Sequence, residues 1–235
     1  MVTISIKTIP DKREEEQASE KVKHIVEDRN KVIAKRFGLP AEDIDVELHY
    51  STGALKARLG LPHSALGIFS GYLDNTNTIL LSHPEAVSPV FGDNLDKETI
   101  VMTDYALTKL YALKKYFPKP EQYKLYHKYL SEALALVSAG KNIKERVEFD
   151  IKTYIPGKKY RKEQETLIVF YIMLEKSGLD YIYEHLDAMF KDEDVKRTVF
   201  SIYHKSFNEL VEQISREIKA MERELQQKFR QGRKS

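Results

Sequence analysis

The stretch Thr99 to Phe117, TIVMTDYALTKLYALKKYF, admits few conformations. Ile100, Leu107, Leu110 and Phe117, with Leu113 beside them, recur at three-to-four spacing, which gathers them on one side of an α-helix. Asp93, Asn94 and Asp96 offer acceptors to first-turn amides, and Pro118 stops the helix. The chain on either side differs in kind. Strand patterns alternate with helices before this helix, and only helical patterns follow it.

Val2, Ile4 and Ile6 alternate with polar residues, which predicts a strand with one apolar face. Asp11 to Phe37 reads as a long helix whose face carries Ala18, Val22, Ile25, Val26, Val32, Ile33 and Phe37, ended by Gly38 and Pro40. Ile44, Val46, Leu48 and Tyr50 alternate again, and Ser51-Thr52-Gly53 caps a short helix through Leu59. Ile68 to Leu73 and Thr78 to Ser82 read as strands flanking the turn-rich Asp74-Asn75-Thr76-Asn77. Helices are then expected over Gln122–Ala139, Lys162–Lys176, Leu179–Phe190, Asp194–Tyr203 and Ser206–Phe229, with Gly140 and Ser177-Gly178 as stops. The expected fold class is α+β: a small mixed sheet with a backing helix and the central helix over 1–117, a helical subdomain over 118–229, and a basic tail over 230–235.

The chain has 235 residues, 42% of them hydrophobic and 31% charged, which suits a folded protein rather than a disordered one. A net charge of +2 gives no argument for nucleic acid or an acidic partner, and the basic tail has no interleaved aromatics. Without cysteine there is no disulfide, thiolate metal site or cysteine nucleophile, which fits a reducing cytoplasm. MVTISIKTIP reads as a strand rather than a signal peptide, and no apolar run approaches the ~20 residues that span a bilayer. The expectation is a cytoplasmic protein with no membrane and no nucleic-acid partner.

Within the central helix, Tyr105-Ala106-Leu107-Thr108-Lys109 has apolar residues before it, Leu-Thr inside it and apolar residues after it. That frame resembles the H-E-x-x-H helix of the gluzincins, the thermolysin-like zincin metallopeptidases. Tyr105 stands at the first histidine position, Ala106 at the glutamate and Lys109 at the second histidine. Downstream, Tyr129-Leu130-Ser131-Glu132-Ala133-Leu134-Ala135 resembles the family segment W-x-x-E-G-x-A, with Glu132 at the third-ligand position and Ala133 for the usual glycine. Phe170 to Leu179 resembles a later family segment, and Tyr160 or Tyr171 stands for a transition-state hydrogen-bond donor. The order of elements also matches the N-terminal half of zincins.

The resemblance implies a zincin scaffold from which the zinc has been removed: a pseudopeptidase with no catalytic residue, no metal and no cofactor. A catalytic zinc site needs three protein ligands and an open position, and the motif glutamate activates the bound water; Ala106 cannot. Zincins present an edge strand beside the cleft, so the resemblance implies a peptide or protein segment pairing with Thr78, Ile79, Leu80, Leu81 and Ser82. Two other readings stand beside this one. An active metal-dependent peptidase would draw non-standard ligands from His83, Asp104, His127 or Glu132. A structural or assembly protein would use the Val211, Ile214, Ile218, Met221 and Leu225 stripe of the last helix. The oligomeric state is left open by the sequence.

In the family the second histidine and the third-ligand glutamate touch one zinc. Lys109 and Glu132 at those positions are therefore expected to form a salt bridge, the ammonium replacing the dication beside the carboxylate. If the pair is buried, Lys109→Ala is expected to cost about 3–5 kcal/mol by stranding the acid. Chemical denaturation measures this, and a variant that melts like the parent removes the pairing.

Overall fold

Residues 1–7, 12–60, 70–73, 76–83, 95–117, 125–140, 151, 161–192 and 195–232 are described by a computed structural model. The chain divides into two units, Met1–Lys124 with Leu134–Lys141, and Leu125–Ala133 with Asn142–Ser235.

The first unit runs β1 (Val2–Lys7), α1 (Lys12–Phe37), β2 (Ile44–His49), α2 (Thr52–Arg58), β3 (Ser70–Tyr72), β4 (Thr78–Ser82) and α3 (Leu95–Tyr116). The strands form one mixed sheet in the order β1-β2-β4-β3. β1, β2 and β4 are parallel, and β3 adds antiparallel to β4. Parallel neighbours need a crossover, and α1 supplies it between β1 and β2. Its face is the one the spacing predicts: Val22, Val26, Ile33 and Phe37 are buried, although Val32 is exposed. Gly38 takes φ +67 and its amide bonds to the Lys35 carbonyl, while the Leu39 amide reaches Ala34. Two carbonyls of the last turn are satisfied in this way.

Register fixes which residues share a face. Val46 lies beside Ile79 and Leu48 beside Leu81, while Glu47 lies beside Leu80 and His49 beside Ser82. Ile44, Val46, Leu48, Ile79 and Leu81 are fully buried. α1 and α3 pack on each other, α1 on β1, and α3 on β3 and β4. On the other face, Arg58 of α2 pairs with Glu47, and the Leu59 side chain fills the space a Cβ on Gly71 would occupy, 2.6 Å from it.

α3 begins earlier than its apolar spacing suggests, and Asp96 in its first turn pairs with Lys21 of α1. Farther along, Arg29 donates two hydrogen bonds to Asp104, at 2.6 and 2.7 Å. Beyond these ion pairs lies a buried polar clasp. The Tyr111 hydroxyl donates to Asn30 at 2.6 Å and accepts from the Glu42 amide at 3.1 Å, and Asn30 donates to the Glu42 carbonyl at 2.8 Å. The Tyr111 ring stacks on Phe37. These contacts tie α1, the turn into β2 and α3 together.

The second unit contains Leu125–Ala133 of α4 (Leu125–Ser138), with α5 (Lys162–Asp192), α6 (Val195–Tyr203) and α7 (Phe207–Gly232). Glu165 through Met173 are buried on every side, as a helix at the centre of a core must be. Gly178 (φ 82, ψ 175) breaks α5 at the expected stop. After it only Ile182, Leu186, Met189 and Phe190 turn inward. In all, the described residues form a mixed α/β structure, mostly helical, with four strands and seven helices. Among them no helix is long and apolar enough to cross a membrane.

Tyr111→Phe keeps the ring and strands two polar partners. It is expected to cost about 1–3 kcal/mol in urea denaturation, with the native circular dichroism retained.

Candidate functional site

α3 is covered almost all round. Thr99, Met102, Thr103, Asp104, Ala106, Leu107, Thr108, Leu110, Tyr111 and Ala112 are buried, whereas Val101, Tyr105, Lys109 and Leu113 are half-buried. The latter four step by one helical turn and form the open line of the helix. Two of the motif positions, Tyr105 and Lys109, lie on that line. The third, Ala106, is 0% exposed.

The open line faces the sheet edge. The Lys109 ammonium stands 5.2 Å from the centroid of the Tyr105 ring and 5.6 Å from that of Tyr72, on β3. It also donates to the Tyr105 hydroxyl at 3.4 Å. A cation over two aromatic faces gains roughly 0.5–1 kcal/mol from each where partly exposed. The site is thus a lysine cradled by two tyrosines, one from the helix and one from the strand beside it.

The strand expected to receive a peptide is not an edge. β4 lies between β2 and β3, so both sides of its backbone are already bonded, and Ile79, Leu80, Leu81 and Ser82 are buried. Thr78, half-buried, is likewise paired with Asp45. Among the described residues the edge on the α3 side is β3. The Leu73 amide bonds to the Thr78 carbonyl, so in the alternation of an antiparallel ladder Gly71 also faces β4, while the amides and carbonyls of Ser70 and Tyr72 point outward. The small pair Ser70-Gly71 and the uninterrupted apolar run of β4 were the signals for this arrangement.

Four residues were the possible ligands of a non-standard metal site. Asp104 is buried and held by both hydrogen bonds from Arg29; burial raises its carboxyl above the ordinary range, and Arg29 opposes that rise. His83 is fully buried and stacks on Tyr50 with 3.8 Å between centroids. His127 and Glu132 belong to the second unit, where His127 is buried and stacks near Phe190. Glu132 is half-buried. Lys109 lies in the first unit and Glu132 in the second. Among the described residues no group of three His, Asp or Glu side chains is placed to hold a metal ion. Tyr171 is a buried core residue, and Tyr160 lies outside the described residues. In α7, Val211, Ile214 and Ile218 are buried and Met221 is exposed, while the side chain of Leu225 lies outside the description.

A second cluster, not read from the sequence, sits at the C-terminal ends of β2 and β4. The His83 amide donates to the His49 carbonyl at 2.9 Å, and His49 Nε2 is 3.4 Å from Glu47, which Arg58 also holds. His49 and Ser82 are register neighbours, both buried. Glu47 and His49 are neighbours on one face of β2, but Ser82 and His83 join them only through the pairing of β2 with β4.

Comparison with protein-family models, with curated proteins and with solved structures finds no match to the chain.

Burial lowers the His83 imidazole from 6.5 to about 4. The unfolded chain then takes up a proton in a range where the folded chain does not. Stability is therefore expected to be present above pH 6.5 and to fall as the pH drops toward 4, by at most about 3 kcal/mol. Urea midpoints across that range measure the slope, and His83→Gln is expected to flatten it.

Proposed function

We propose that the chain is a zincin-type metallopeptidase homologue without peptidase activity, and that it binds an extended peptide or protein segment along the outer edge of β3. The support for the scaffold is architectural. A small mixed sheet with an antiparallel edge strand rests on two long helices, and the second helix carries the motif frame. The observation that carries the binding reading is the placement of Lys109 between Tyr105 of α3 and Tyr72 of β3. Two motif positions thereby face β3, the described edge of the sheet on that side, and strand edges are where an extended chain can add.

The residues also account for the missing chemistry. A general base must reach the water it activates, and Ala106 offers no such group. Lys109 brings a positive charge to a position where the family brings a metal ligand. The strand edge and the aromatic pair need neither metal nor base to hold a peptide. Backbone hydrogen bonds supply affinity there, and the side chains beside the edge supply selectivity. The coupling is local: residues that would have cut a peptide now flank one.

Peptides selected from a random library against the purified protein test this reading. Selected peptides are expected to survive incubation intact with added zinc. They are also expected to bind Ser70→Pro at least about tenfold more weakly, because proline removes an outward donor while leaving the β3–β4 bonds in place. Tyr72→Ser, which removes one wall of the cradle, is expected to weaken them as well. Cleavage of the peptide together with stoichiometric zinc at Tyr105–Lys109 overturns the proposal, as does binding indifferent to both substitutions.

A further inference from the structure

Away from the sheet, the second unit carries a groove of about 380 Å³ lined by Lys196, Arg197, Phe200, Ser206, Phe207 and Asn208. It lies at the turn between α6 and α7. Val195, Thr198 and Val199 take α6 into the core, which leaves Lys196, Arg197 and Phe200 facing outward. Phe200 is 61% exposed, large for an aromatic side chain, and Phe207 is buried at the groove floor.

The charges in this groove are not equivalent. Lys196 is committed: its ammonium pairs with the buried Glu165 at 2.6 Å and lies over the Phe207 ring at 5.4 Å. The first turn of α7 is committed too. Ser206 and Glu209 form a reciprocal capping box, in which the Ser206 amide and hydroxyl both donate to the Glu209 carboxylate at 2.7 Å and the Glu209 amide donates back at 3.3 Å. Arg197 is exposed and no described residue pairs with it. One open guanidinium therefore stands one helical turn from one open phenyl ring, above an apolar floor.

We infer that this groove is a docking site for a peptide segment carrying an Asp or Glu next to a large apolar side chain. The carboxylate pairs with Arg197, whose planar fork suits two parallel hydrogen bonds. The apolar side chain covers Phe200 and reaches the ring of Phe207. The groove is open rather than enclosed, so it does not surround a small molecule as ligand cavities do; a peptide needs only two side chains seated there. The basic tail of this chain, Arg230 to Ser235, has the wrong charge to be the occupant. This inference is independent of the β3 reading, and Ser70→Pro leaves it unchanged.

An array of short synthetic peptides with Asp or Glu fixed beside Phe, Leu or Tyr supplies the probe, and solution affinity is read by fluorescence polarisation with the full chain. Arg197→Glu is expected to weaken the best binder by about tenfold or more, and Phe200→Ser to weaken it as well. Both positions are exposed, so the fold is expected to survive, as thermal melting checks; Arg197→Gln serves if Arg197→Glu does not fold. Replacing the peptide acid by lysine is expected to restore binding to Arg197→Glu and abolish it for the parent. An array without an acid–apolar binder above alanine controls, or a binder indifferent to Arg197, overturns the inference.

Discussion

The parallel seating of α1 against α3 governs the first unit. Two ion pairs set its register: Lys21 with Asp96, then Arg29 with Asp104. Each helix advances eight residues between them, about 12 Å of helical rise. The helices therefore run in the same direction without slipping. The Tyr111–Asn30–Glu42 clasp closes the far end and includes the turn that launches β2. The exposed Lys21–Asp96 pair adds little by itself, but Arg29 holds the buried Asp104 and the buried clasp is costly to leave half-satisfied, so rotation of α3 is resisted. That fixed rotation puts Ala106 in the core and Tyr105 and Lys109 on the open line.

Local chemistry announced much of this fold. The alternation in β1 and β2, the left-handed glycine after α1 and the break at Gly178 each express a constraint acting within a few residues. Placement within the sheet was less legible. Thr78–Ser82 is a strand, as its pattern says, but its interior place depends on the antiparallel return of Ser70–Tyr72, which the apolar run of β4 signals without naming the partner. The same holds for Arg29 and Asp104, whose partnership crosses 75 positions. Val32 and Ile100 were read as apolar-face residues and are partly open to solvent, since a stripe read from spacing takes in marginal positions that packing leaves open. At the candidate site, the helical step from Tyr105 to Lys109 was visible in the sequence. Tyr72 was not, because it reaches the ammonium only through the fold.

The second unit is arranged differently. Its central segment, Glu165 to Met173, is enclosed on all sides, and the break at Gly178 lets the chain leave as an ordinary one-faced helix. His204 then takes φ +51 between α6 and α7, a conformation uncommon outside glycine and a few polar residues. Such a turn redirects α7 within a few residues. The pairing of the buried Glu165 with Lys196 also settles which of the two neighbouring cations of α6 serves the core and which is left outside.

The enclosure of Ala106 also limits what else this position can hold. Its methyl group is completely enclosed, and the surrounding side chains have closed over a small residue. A glutamate placed there would bring an ionised carboxylate into space shaped for one carbon, at a cost of several kcal/mol from desolvation and crowding. A carboxylate could be accepted at this point only if the side chains around it changed as well. The packing that gives this helix its rigidity thereby also narrows the set of side chains that position 106 can hold.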